Sequence, residues 1–129
     1  MSTRAGIIIK DKYSQSHYYR HSDGYPEGTM PALEKFLSWV KQGKIRDNTS
    51  QSAGWLIIIG ALEYNTIPLC EFEKDTPYSK GYGKIETIQS PSDWKAGAFE
   101  PTSNINRHRD LEYIYIIDLI SKTISYKEV

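Results

Sequence analysis

The sharpest alternation of apolar and polar positions falls over residues 111–119. There Leu111, Tyr113, Tyr115 and Ile117 share one side of an extended chain, and Glu112, Ile114, Ile116 and Asp118 share the other. This predicts a strand, followed by a turn at 120–122 and a returning strand over 123–127. Near the start, Ile7-Ile8-Ile9 is a stiff, β-branched run that predicts a strand over residues 3–10. A polar turn over 12–16 has no glycine pair, so the loop should exceed two residues. A second strand over 16–21 then closes a hairpin. Alternation puts His17, Tyr19 and His21 on one face and Tyr18 and Arg20 on the other. Both faces carry polar groups, so one of them has to leave the core.

The hairpin runs into Tyr18-Tyr19-Arg20-His21-Ser22-Asp23-Gly24-Tyr25-Pro26-Glu27-Gly28, the densest mixture of aromatic and polar groups in the chain. Asp23-Gly24 is a turn signal, and Pro26 pushes Tyr25 out of the helical region. Beyond it the period changes to helical. Leu33, Phe36, Leu37 and Val40 form one apolar face, with Trp39 at its edge. With Pro31 in the first turn, capped by Thr29 or Met30, and Gly43 past the end, this predicts a helix over about 30–42. Residues 44–51 read as a loop. Residues 55–59, Trp-Leu-Ile-Ile-Ile, fit a buried helix or a buried strand. The expectation is a helix over 53–63 capped by Ser52, although Gly54 and Gly60 weaken it.

Residues 65–92 carry three prolines and no clear period, with short strands possible at 69–72 and 84–88. The small residues of Asp93–Glu100 predict a strand closely approached by backbone or ligand. Residues 101–110 read as a loop, leading into an antiparallel meander of the last three strands. The expected fold is a single α/β domain over 1–129, of α+β type. It has an antiparallel sheet of about five strands with two helices packed on one face.

Composition narrows the function. With 16 basic and 16 acidic residues the net charge is zero, which disfavours general nucleic-acid binding. The 10 tyrosines are expected mostly as sheet packing, with a few rings in a site. A lone cysteine, Cys70, sits beside Glu71 and Glu73, which suits an inert thiol in a reducing compartment. With only the short run Ile7-Ile8-Ile9 near the start and no apolar run of membrane-spanning length, the protein is expected in the cytoplasm, with no membrane partner.

Two His-x-Asp triplets, His21-Ser22-Asp23 and His108-Arg109-Asp110, lie where strands meet loops. Each pair fits a metal or a proton-transfer site, and a metal-dependent hydrolase is one reading. Asp23 is expected first to shape its turn by accepting backbone amides. Ser22 adjoins His21, but neighbours on a strand point apart and no nucleophile elbow is present; Cys70 has no base nearby in sequence. No P-loop or dinucleotide fingerprint is present, so no cofactor is expected. Arg20, Arg46, Arg107 and Arg109 suit phosphate recognition, and Tyr25, Tyr82 and Trp94 offer rings for a base.

A strand pair followed by Tyr19-x-His21-x-Asp23-Gly24-Tyr25-Pro26-x-Gly28, then Leu33 and Phe36, resembles a group of small phage and mobile-element proteins. Gly54-Trp55-Leu56-Ile57, the run from Trp94 to Pro101, and the run from His108 to Asp118 carry the same resemblance. The chain is also distantly similar to the Thoeris anti-defence family through the hairpin, the His-x-Asp-Gly turn, the helix and Glu112-Tyr113. That family's proteins are oligomeric sponges that hold cyclic ADP-ribose-type immune signals without degrading them. The resemblance implies a non-catalytic, homo-oligomeric binding protein of a host cytosol, with a nucleotide-like ligand. The expected ligand-binding residues are His21, Asp23, Tyr25, Tyr82, Trp94, Arg107, His108 and Arg109. An interaction module that inhibits a host protein is the alternative.

Overall fold

The computed structural model describes residues 2–63 and 97–129. The short strands expected at 69–72 and 84–88, the first half of the strand expected at 93–100, and Cys70, Tyr82 and Trp94 lie outside the described residues. The architecture is α+β, with a five-stranded sheet and two helices. Strands β1 (Arg4–Lys10) and β2 (Gln15–Arg20) form the expected hairpin, with Ile7 opposite Tyr18. In its loop the Asp11 carboxylate accepts the amides of Tyr13 and Ser14 at 2.8 and 2.9 Å.

Helix α1 (Pro26–Lys41) begins earlier than expected. Tyr25 is the N-cap residue and Pro26 the first helical position, where a missing N–H costs nothing. Pro31 therefore lies inside the helix rather than at its start. Gly43, at φ +75°, follows the end as expected. Helix α2 (Thr49–Glu63) also starts early. Its cap is Asn48, whose side-chain oxygen accepts the amides of Ser50 and Gln51, and not Ser52, which is buried. The Asp11 carboxylate adds a bond from Thr49 N–H at 2.9 Å, which ties the first hairpin to the head of α2.

Pairing at the other end corrects the expected meander. Strands β4 (Leu111–Asp118) and β5 (Thr123–Glu128) are antiparallel, but β4 lies parallel to β1, so the sheet is mixed. Strand β3 is only Glu100–Thr102 and pairs with β2, giving the order β3-β2-β1-β4-β5. Residues 97–99 are not strand, because the Ala98 amide is drawn to the Gly60 carbonyl of α2 at 3.2 Å. Pro101 has no N–H for a further neighbour, which suits an edge strand. The link from β3 to β4 crosses the face of the sheet away from the helices, through a short 3-10 helix at Ile105–Arg107. It passes over Gly6, where a Cβ would sit 3.0 Å from Ile105 Cγ2, so a larger residue would press on the crossing segment.

The core lies between the sheet and the helices. Ile7, Ile9, Tyr115 and Ile117 meet Leu33, Phe36, Leu56 and Ile59, all fully or nearly fully buried. Of the two faces of β2, the one carrying Tyr18 and Arg20 turns inward. Arg20 has no exposed surface. Its Nε donates to the carbonyls of Ser22 and Asp23 at 2.8 and 3.2 Å. Its Nη2 donates to the Gly28 carbonyl at 3.2 Å, and both terminal nitrogens grip Glu63 at the end of α2. The guanidinium also lies over the Phe99 ring, 5.0 Å from its centroid. Arg20 thus serves the fold and is not available to a phosphate.

Removing one partner of such a pair strands the groups it satisfied. Arg20→Met is expected to lower stability by about 3 kcal/mol. Glu63→Gln keeps an acceptor at the half-buried end but leaves the buried guanidinium without its counter-charge, and is expected to cost about 2 kcal/mol. Urea unfolding of the two variants checks both the order and the size.

Candidate functional site

The other face of β2 carries His17, Tyr19 and His21, and the structure gathers chemistry around Tyr19. The Tyr19 hydroxyl and His21 Nδ1 are 2.9 Å apart. The Tyr19 ring stacks on His108, with centroids 4.2 Å apart and planes 8° from parallel. His108 Nε2 in turn meets Thr102 Oγ1 at 3.0 Å. The two histidines of the His-x-Asp triplets therefore come together through Tyr19, a residue that was not among the expected site residues. Alternation along β2 was the signal that could have found it. Burial raises the Tyr19 phenol above its ordinary value, with Glu100 and Asp110 adding to that and Arg4 opposing it. Tyr19 stays a neutral hydrogen-bonding group at physiological pH.

The carboxylates of the triplets go elsewhere. Asp110 pairs with Arg4 at 2.6 Å. Asp23 sits at φ +58°, a left-handed conformation open to Asp, and its Oδ1 accepts the Tyr25 hydroxyl at 3.1 Å. That bond is the chief reason the Tyr25 phenol is raised. Neither His-x-Asp pair converges on one point, and among the described residues no amide donates to the Asp23 carboxylate. The Asp23 backbone carbonyl holds the turn instead, accepting Thr29 Oγ1 at 2.9 Å as well as Arg20. Tyr25 borders a different hollow of about 240 Å³, shared with Glu112, Tyr113 and Glu128. Asp23 and Tyr25 are thus separated from the His108 side. Among the described residues, no group of three or more His, Cys, Asp and Glu side chains is placed to hold a metal ion.

The segment after β3 is anchored along its length. Asn104 caps the short helix by accepting the Asn106 amide at 2.9 Å. Ile105 is buried, and its N–H donates to His17 Nδ1 at 3.0 Å. Arg107 Nη1 donates to Ser103 Oγ at 2.9 Å. Arg107 and Arg109 remain exposed on this fixed segment, on either side of the stacked His108. Arg46 lies apart, in the exposed loop between the helices.

A cleft of about 460 Å³ opens beside this segment. Ala53, Gly54 and Ile57 of α2 make one wall, and residues 15–18 and 101–104 make the rest. Thr102 and Ser103, which bond His108 and Arg107, are both lining residues. The cleft and the Arg-bearing segment therefore share an edge. Gly54, Ser103 and Asn104 were absent from the expected site; Gly54 was read only as a weak point of the helix, and the cleft that joins the three arises from tertiary packing.

No family model matches the chain, and no curated protein or solved structure matches it either. No helix among the described residues is long and apolar enough to cross a membrane.

Three groups tie stability to pH below neutrality: Asp11, His17 and Asp118, whose carboxyl the Ile120 and Ser121 amides lower so that it joins Asp11 in the acid window. Backbone amides of Thr49, Tyr13 and Ser14 hold the Asp11 carboxyl down at about 2 from 3.8. Its contribution is complete above 3.8 and is lost as pH falls from there toward about 2, because the unfolded chain binds that proton first. Burial lowers the His17 imidazole below 6.5. Its contribution is complete above 6.5 and declines below it by the same reasoning. Urea midpoints measured against pH are expected to fall in these two windows. Asp11→Asn should shrink the more acidic fall, which Asp118 shares, and leave the other unchanged.

Proposed function

We propose that the protein is a non-catalytic binder that captures a small, phosphate-bearing, nucleotide-like molecule in the cytosol. The observation that carries this reading is the anchored segment that holds Arg107, His108 and Arg109 beside a cleft. Guanidinium groups recognise phosphate oxygens through paired, charge-assisted bonds. Here the side chains that would make them need little ordering, because their backbone is fixed by the Asn104 cap, by buried Ile105 and by the Arg4–Asp110 pair. Preorganisation of this kind turns contact into affinity. Sequestration of a nucleotide-derived signal, the activity implied by the Thoeris anti-defence resemblance, is the function such a site would serve.

Calorimetry with ADP-ribose and cyclic nucleotides tests the reading. Binding is expected, with the ligand recovered unchanged and affinity falling as salt rises. Arg107→Ala and Arg109→Ala are each expected to weaken it about tenfold, the loss of one charge-assisted hydrogen bond. No heat with any of these ligands would remove the proposal.

A further inference from the structure

The chain has three histidines, His17, His21 and His108, and all of them meet on the outer side of β2. A ring nitrogen of each makes a hydrogen bond, but the partners differ in kind. His21 Nδ1 meets the Tyr19 hydroxyl at 2.9 Å, and His108 Nε2 meets the Thr102 hydroxyl at 3.0 Å. A hydroxyl can donate or accept, so either bond can reverse its sense and outlast protonation of the ring. His17 Nδ1 instead accepts the Ile105 backbone N–H at 3.0 Å. An amide N–H only donates. A proton on His17 Nδ1 therefore sets donor against donor, and of the three bonds this one alone cannot survive.

That bond sits where the crossing segment is held. Ile105 is buried over Gly6 and opens the short helix that ends at Arg107, with His108 and Arg109 directly after it. The Asn104 cap and the bond from His108 N–H to the Ile105 carbonyl lie within the segment and do not tie it down. Among the described residues, the Ile105–His17 bond is the one hydrogen bond between the backbone of residues 104–109 and the sheet.

Ile8 of β1 and Thr102 of β3 stand opposite His17. Two positions along the same face come Lys10 on β1, Glu100 on β3 and Tyr19 on β2. Arg107 and His108 stand on the crossing segment, and the α2 wall of the cleft, Ala53, Gly54 and Ile57, carries no charge. None of these charged groups bonds to the His17 ring. Burial is what lowers its pKa, and so keeps the ring neutral and accepting at neutral pH.

We propose that His17 is a positioning residue for the anion-binding segment, a latch that holds Arg107 and Arg109 beside the cleft while its ring is neutral and releases them when the ring is protonated. The proposal rests on the reading of a phosphate-bearing ligand and adds how its capture is governed. It runs against simple electrostatics. Acid adds positive charge at three histidines beside the site, which by charge alone tightens an anion as pH falls. The latch weakens it.

ADP-ribose is the probe for calorimetry of the full chain, because its internal pyrophosphate lacks the terminal phosphate proton that titrates at about pH 6. Between about pH 7.5 and about pH 5.5 its affinity is expected to fall about tenfold, the scale of one orphaned amide. His17→Asn places an oxygen where Nδ1 accepts and has no proton to gain, so its affinity is expected not to fall on acidification. His17→Leu removes the acceptor and is expected to bind weakly at both pH values. Nuclear magnetic resonance reads the latch without ligand. As the His17 ring titrates, exchange of the Ile105 amide, corrected for its intrinsic slowing in acid, is expected to quicken about tenfold while amides of β1 and β4 keep their protection. In His17→Asn the Ile105 amide is expected to hold steady. Affinity that rises as pH falls, a fall in His17→Asn like that of the parent, or Ile105 exchange indifferent to the His17 titration overturns the latch. Absence of ADP-ribose binding at both pH values overturns the phosphate reading, and Ile105 exchange then decides the latch alone.

Discussion

A single guanidinium, buried where the sheet meets both helices, fixes the geometry of the whole described fold. Arg20 gathers the carbonyls of Ser22, Asp23 and Gly28 and the carboxylate of Glu63 around one planar group. The corner between β2 and α1 would otherwise bring bare carbonyls toward an apolar interior, at a cost of about 1–3 kcal/mol for each one left unsatisfied. Tyr115 completes the arrangement from β4, donating to the Gly24 carbonyl at 2.6 Å. Burial raises the Tyr115 phenol to about 12, so this donor keeps its proton throughout the physiological range. The corner is thus held from β2, α2 and β4 at once.

That buried anchor decides what β2 can show to solvent. With Tyr18 and Arg20 turned inward, alternation sends His17, Tyr19 and His21 outward. The connection to β4 then crosses this outer side and brings His108 and the two arginines beside it. Gly6 permits the crossing, and His17 pins it through Ile105. The candidate site is a by-product of how the core is built: an inward arginine forces an outward row of rings.

The local parts of this arrangement were legible in the sequence. Strand positions near both ends of the described chain followed from alternation, and both helices from period and turn residues. Their starts were not, because two signals competed at each. Pro31 resembles a first-turn proline as much as Pro26 does, and Ser52 resembles a cap as much as Asn48 does. Only the tertiary bonds from Asp11 to Thr49 and from Arg20 to the corner choose between them. The pairing of β1 with β4 was hidden for a different reason. A parallel contact between strands about a hundred residues apart leaves no local trace. The role of Arg20 was misjudged because a charged residue in a strand is ordinarily solvated. Of the candidate site, the triplet histidines and the arginines were visible as residue types. Tyr19, His17 and Gly54 depended on the crossing segment and on the wall of α2.

The corner also bears on the chemical durability of the chain. Of the aspartate-containing dipeptides, Asp-Gly is the most prone to closing a succinimide ring, in which the glycine nitrogen attacks the aspartate side-chain carbonyl, water leaves, and hydrolysis leaves isoaspartate behind. Here the Gly24 nitrogen is committed to the Thr3 carbonyl at 2.8 Å. A Cβ on Gly24 would meet that oxygen at 2.8 Å as well, so the residue has little room to turn. The Asp23 carboxylate is occupied by Tyr25. Ring closure has to wait until this end of the fold opens. Isoaspartate at position 23 would then record how often the corner has come apart, an ageing mark written by local unfolding rather than by time alone.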